Sequence, residues 1–226
     1  MSLNKILDSD IRQIKNRIEE LIEETKIQYV LSYEALRTSN YDLVLEAITN
    51  ERNINSLQND FTNVALWKLA KQQMVASDLR LTVGSILIGR EIEIIADYAK
   101  WTCKFFIKYK PSPEEIVALT EMFELLIQML DLVAKLTDSF NLEQKNHLLE
   151  LQNTLNNKFK EYNLLLFQKA RNVNGEKEAK TLMAEIRQIA NLERAGEHLV
   201  AIQEILNFIR TGKFEDISET LINQSA

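Results

Sequence analysis

The stretch REIEIIADYA (Arg90 to Ala99) has a counterpart in the second half of the chain, NLERAGEHLV (Asn191 to Val200). Ile92 aligns with Leu192, Glu93 with Glu193, Ala96 with Gly196 and Asp97 with Glu197. In both copies apolar residues recur at steps of three and four, the period of a helix rather than the alternation of a strand. In both, two acids stand four residues apart, which on a helix puts them on one face with Cβ atoms about 5 to 6 Å apart. A helix repeated together with its acids points to duplication of the unit around it, so the chain reads as two copies of one structure.

The first half has the pattern of three helices. One follows the capping-type run Asp8-Ser9-Asp10, carries Ile11, Ile14, Ile18 and Leu21, and extends to about Arg37. The next follows Thr38-Ser39-Asn40, shows the stripe Ile54, Leu57, Phe61 and Val64, and runs towards Gln73. Ser77 or Asp78 then offers a fresh N-cap for a third helix over roughly 78–108. Pro111-Ser112-Pro113 ends it, because the residue before a proline is disfavoured in the helical region. The fourth helix has the cleanest stripe, Ile116, Leu119, Phe123, Leu126, Leu130 and Val133, and ends near Phe140. A fifth carries Leu148, Leu151, Leu155, Phe159 and Tyr162, and Asn172-Val173-Asn174-Gly175 reads as a turn. The sixth runs from Glu176 to about Arg210, with Gly212 placed as its C-terminal cap. The expected architecture is all-α, two tandem three-helix bundles related by an internal repeat, over residues 1–110 and 111–226.

The totals agree with this. At 226 residues with 46% hydrophobic content the chain buries a real core, and 5 Gly with 2 Pro leave few breaks between long helices. A net charge of -6 argues against a protein that coats nucleic acid, which needs Lys and Arg in excess. Cys103 stands alone and forms no intramolecular disulfide, and MSLNKILDSD lacks the apolar stretch of a secretory signal, so a reducing cytoplasmic setting is expected. No window approaches the ~20 apolar residues that span a bilayer, so membrane association is expected to be peripheral or through a partner.

Two readings fit the acid pairs. Like charges so placed repel by a few tenths of a kcal/mol unless something positive lies between them. A hard cation is one answer, since oxygen-rich sites suit Mg, Mn or iron and two carboxylates can bridge more than one ion. Local ion pairing is the other, because Arg90 precedes Glu93 by three, Lys100 follows Asp97 by three, and Arg194 precedes Glu197 by three. In the sixth helix the stripe Leu182, Ile186, Ile189 reaches Glu193 at its next in-phase position, which aims that acid inward, where a charge needs a partner or a metal. Ala96 and Gly196 keep a small residue between the acids of each pair, which allows close approach of a helix or a ligand.

Other constellations carry less. Lys100, Lys104, Lys108 and Lys110, interleaved with Trp101, Phe105, Phe106 and Tyr109, form a basic stripe suited to a membrane surface, an acidic protein or simple solvation over aromatic stems. Ferritin-like di-iron sites need Glu-x-x-His, and neither His147 nor His198 has it. There is no Walker loop, Cys-x-x-Cys pair or nucleophile elbow, and Cys103 reads as a buried small hydrophobe, so no enzyme is expected.

QQMVASDLRL (Gln72 to Leu81), followed by EIEIIADYA and repeated in NLERAGEH, resembles the signature of the PhoU family of phosphate-uptake regulators, a Gln-Pro-x-Ala-x-Asp-Leu-Arg run and then Glu-x-x-x-Asp. The resemblance spans both halves. It implies paired three-helix bundles with metal held at Glu93, Asp97, Glu193 and Glu197, iron or zinc first and Mg or Mn as alternatives. Asp78 and Arg80 would then be a helix cap and a supporting cation. It also implies a non-enzymatic adaptor that negatively regulates high-affinity phosphate uptake and signalling at the cytoplasmic face of the membrane. Its partners would be the ATPase subunit of the phosphate transporter and a phosphate-sensing histidine kinase; a second copy of the chain is a further candidate partner. The alternative is a helical scaffold without metal. Met74 stands where the family has proline, Ile94 where it has Arg, and Glu197 where it has Asp, which makes the first pair the closer match.

Overall fold

The computed structural model describes residues 3–71 and 73–213. Gln72, which opens the family-like run, and 214–226 of the second half lie outside the described residues. The described residues form six helices and no strand: α1 (Leu3–Thr38), α2 (Tyr41–Lys71), α3 (Ala76–Tyr109), α4 (Pro113–Asp138), α5 (Leu142–Ala170) and α6 (Glu176–Thr211).

Local chemistry sets most of the ends. Lys110 closes α3 in a left-handed conformation, φ 48°, its N–H bonded to the Phe106 carbonyl. Ser112 and Glu115 then form a reciprocal capping box with Pro113 in the first turn of α4, which satisfies two otherwise orphaned donors. The side-chain oxygen of Asn141 accepts from the N–H groups of Glu143 and Gln144 to start α5, and Asn40 does the same for α2 through Asp42 and Leu43. Gly212 takes φ 76° after α6 and donates to Phe208, the expected left-handed cap.

Two starts differ from expectation. α1 begins at Leu3, so Asp8-Ser9-Asp10 lies inside the helix; a capping run does not end a helix when the residues before it are themselves helix formers. α3 begins at Ala76 with Val75 as N-cap and no side-chain cap bond, so Ser77 and Asp78 sit in its first turn, where Asp78 still favours the positive end of the helix dipole.

Each bundle closes on its own three helices, and across the repeat like meets like, α1 against α4 and α3 against α6. The α3–α6 contact is the most extensive and α2 and α5 stay on the outside. It is antiparallel: Gly84 faces Ile205 and Ile209, Glu91 bonds His198 at 2.5 Å, and Thr102 reaches Gln188 at 3.4 Å. At the α1–α4 contact the rings of Tyr29 and Phe123 lie 5.2 Å apart and Lys26 pairs with Asp131 at 2.6 Å. The expected α4 stripe is buried from Leu119 to Val133. Elsewhere the stripes are displaced. Val64 and Ile186 are exposed, and the buried line of α2 runs Val44, Ala47, Glu51, Ile54, Gln58, Phe61, Ala65, Lys68.

Two glycines of α3 test this packing with opposite signs. A Cβ at Gly84 would lie 2.5 Å from Ile209 Cγ1, whereas one at Gly89 would make ordinary contact with Phe61 at 3.6 Å. Alanine gains about 1 kcal/mol over glycine in a helix, and overpacking costs about 1–3 kcal/mol. Gly89→Ala should therefore raise the urea midpoint and Gly84→Ala lower it.

Candidate functional site

The α3–α6 contact fixes where the acids go. Glu93 lies two residues beyond Glu91, about 200° round the helix, so it and Asp97 leave the α6 side of α3 and turn towards α2. Glu193 and Glu197 flank Gly196, whose missing Cβ lets Gln152 and Leu155 of α5 close in on α6. The two pairs thus face different outer helices, and the structure does not bring them together. Among the described residues no three His, Cys, Asp or Glu side chains are grouped to hold a metal ion.

In the first copy cations are already in place. The Arg90 guanidinium is bonded to the Glu93 carboxylate, while Lys100 Nζ stands 2.5 Å from Asp97 and 2.8 Å from Glu51 of α2. Glu51 is 3% exposed, so its charge is one that water does not satisfy. Burial acts against the Lys100 ammonium, but its bonds to Asp97 and Glu51 outweigh that and raise its pKa. Lys100 therefore leaves the solvent-facing basic stripe, of which Lys104, Lys108 and Lys110 remain exposed. As they stand, Glu93 and Asp97 do not fit an added metal ion, because both carboxylates are engaged by the chain's own cations.

The second copy is built differently. Glu193 is half-buried and Glu197 exposed, and neither makes an ion pair within 4.0 Å among the described residues. Burial and then the charge of Glu197 push the Glu193 carboxyl up, against a smaller pull from Arg194. The buried line of α6 runs through Leu182, Glu185, Ile189 and Leu192, which leaves Glu193 at its margin instead of on it. Two oxygen donors without an internal cation fit the requirement of a hard ion better than the first pair does. Family spelling thus favours the first pair and the ion pairs favour the second.

Glu51 and Glu185 were not singled out from the sequence, although each sits in phase with its apolar seam, Ala47-Glu51-Ile54 and Leu182-Glu185-Ile189. Each meets a lysine from another helix or turn of its own bundle: Lys100 for Glu51, and Lys169 at 2.8 Å for Glu185. Lys169 also bonds Glu115, so two carboxylates share one ammonium beside a cavity of about 540 Å³ lined by Tyr162, Leu165 and Ile189. Burial, with Glu115 adding repulsion against the pull of Lys169, raises Glu185 to about 7. Arg80 is not near either acid pair; its Nε reaches the Ile209 carbonyl at 3.4 Å and so supports the C-terminal end of α6. His198 bonds Glu91, and Cys103 is buried against the Ser32 hydroxyl.

Two outcomes follow from the charge arrangement. Lys100→Met, which strands a buried carboxylate, should cost about 2–4 kcal/mol in urea unfolding, whereas Arg90→Met, at an exposed pair, should cost within about 0.5 kcal/mol. Glu193 has a raised folded pKa, so it loses stability as pH rises from the unfolded value through the folded one. Glu193→Gln should therefore leave Tm unchanged at pH 4 and raise it by about 1 °C at pH 8.

The comparisons with known proteins agree with this frame. The family model for the PhoU domain matches twice, over residues 18–105 and 119–206. A phosphate-specific transport system accessory protein PhoU homolog of Zymomonas mobilis is 25% identical over 92% of this chain and 88% of its own length. A like-named homolog of Rhizobium meliloti is 26% identical over 91% and 87%. The crystal structure of PhoU from Pseudomonas aeruginosa superposes with a TM-score of 0.81 at 17% identity, covering 91% of this chain and 99% of that one. With the domain matched in both halves, in the tandem three-helix arrangement that its helices adopt, the chain belongs to the PhoU family.

Proposed function

We propose that this protein is a regulatory accessory of a phosphate-specific transport system, a non-enzymatic helical adaptor that restrains high-affinity phosphate uptake and signalling from the cytoplasmic face of the membrane. One observation carries the reading: both halves match the PhoU domain, and relatives named as accessory proteins of that transport system align over most of the chain. Among the described residues no helix is long and apolar enough to cross a membrane. The first partner in this reading is the ATPase subunit of the transporter. A phosphate-sensing histidine kinase is the second partner, and a second copy of the chain the third. Val75, Leu79, Val83 and Leu87 leave an exposed apolar ridge along the start of α3, the kind of surface a protein partner buries. Burial pushes the Cys103 thiol up to about 11, the direction opposite to that of a nucleophile.

Metal enters this reading unevenly. Glu193 and Glu197 would hold iron, zinc, manganese or magnesium, which would offset the charge of two carboxylates that make no ion pair among the described residues. For the first pair a scaffold without metal is the better supported reading, on the ion pairs of Glu93 with Arg90 and Asp97 with Lys100.

Deleting the gene in its own cell should raise uptake of radiolabelled phosphate several-fold in phosphate-rich medium. Unchanged uptake contradicts the regulatory role. Elemental analysis of the purified chain should lose metal on Glu193→Gln with Glu197→Gln, and metal content untouched by that change removes the metal part alone.

A further inference from the structure

Glu51 sits on the buried seam of α2 and Asp97 on the outer side of α3, and the single group between them is the Lys100 ammonium, 2.8 Å from one and 2.5 Å from the other. The side chain is only 15% exposed, so the lysine has given up most of its water to stand there. An ammonium in that position does what a bound divalent ion would do: it gathers oxygens from two helices, cancels their repulsion and ties α3 to α2. We propose that Lys100 is the resident cation of the first repeat, closing the Glu93–Asp97 pair to divalent metal and confining any metal binding to the Glu193–Glu197 pair.

The second repeat supplies an independent comparison within the same chain. Gln152 lies as far along α5, counted from Leu142, as Glu51 lies along α2, counted from Tyr41, and like Glu51 it is buried and turned towards the last helix of its bundle. Counted in the same way along the last helices, from Ala76 and from Glu176, Val200 stands where Lys100 does. The buried acid and its lysine are therefore replaced together, by a neutral amide and an apolar side chain. This is the pattern expected if Lys100 is there to answer the charge of Glu51, since either one without the other would leave a buried charge unpaired. With both replaced, the outer carboxylates Glu193 and Glu197 keep no lysine of their own, and Glu193 makes no hydrogen bond or ion pair within reach among the described residues. A chain with two similar acidic motifs thus has one that is internally neutralised and one that is not.

The inference goes beyond the regulatory reading and stands or falls apart from it, because it concerns metal affinity of the isolated protein. The full chain carrying Glu193→Gln and Glu197→Gln, with Lys100 intact, is titrated with manganese chloride while amide NMR signals are followed. The expected result is no saturable paramagnetic broadening around Glu93 to Lys100; saturable broadening there overturns the proposal. Adding Lys100→Met to the same chain should open the position. Manganese should then bind at least tenfold more tightly, broaden signals from both α2 and α3 near Glu51 and Asp97, and raise the Tm of the variant more than that of its parent. A folded Lys100→Met chain with no gain in manganese affinity also overturns it. The first titration, made with the lysine in place, decides by itself where the methionine variant does not fold.

Discussion

The back-to-back contact of α3 and α6 governs the layout of everything else. Gly84 lets Ile205 and Ile209 seat against α3 at one end, Glu91 and His198 bond near its middle, and Thr102 meets Gln188 at the other. Because equivalent helices meet, each presents its acidic pair away from the shared contact and towards the outer helix of its own bundle. The duplication therefore yields two separate acidic surfaces rather than one site built from both halves. A design of this kind places chemistry on rigid helices and leaves the loops to caps and turns.

A second constraint acts within each bundle. A carboxylate on an apolar seam requires a positive partner, and in both bundles that partner comes from another helix. Glu51 finds Lys100 on α3 and Glu185 finds Lys169 at the end of α5. Such pairs add little net stability over well-packed apolar residues, but removing one member leaves the other uncompensated. They fix which face of α3 looks at α2 and which end of α5 closes on α6.

Much of this was legible in the residues. The proline cluster at Pro111 and Pro113, the glycine after α6 and the unbroken stripe of α4 all have local causes, and they stand where spacing and turn chemistry put them. The repeat was visible because the paired acids recur in register with an apolar residue before them, Ile92 and Leu192, and a small residue between them, Ala96 and Gly196. Periodicity was less informative where a helix packs on several neighbours at once. α6 is buried by α3, α4 and α5 together, so its stripe broadens, Ile186 falls outside it and Glu193 lies at its edge. The role of Lys100 depends on Glu51, forty-nine positions earlier and on a different helix, and no single-helix pattern relates the two. Glu51 itself carried a readable signal, an acid four residues after Ala47 and three before Ile54 on a line otherwise suited to a core.

The first repeat is neutralised from within by its own lysine, Lys100, in the arrangement we propose. Anomalous diffraction from crystals of the unaltered chain grown with zinc would test it at the atoms concerned. The account predicts no anomalous peak between Glu51 and Asp97 and Lys100 Nζ within hydrogen-bond distance of both. A zinc ion at that point, with the lysine swung out to solvent, would contradict it.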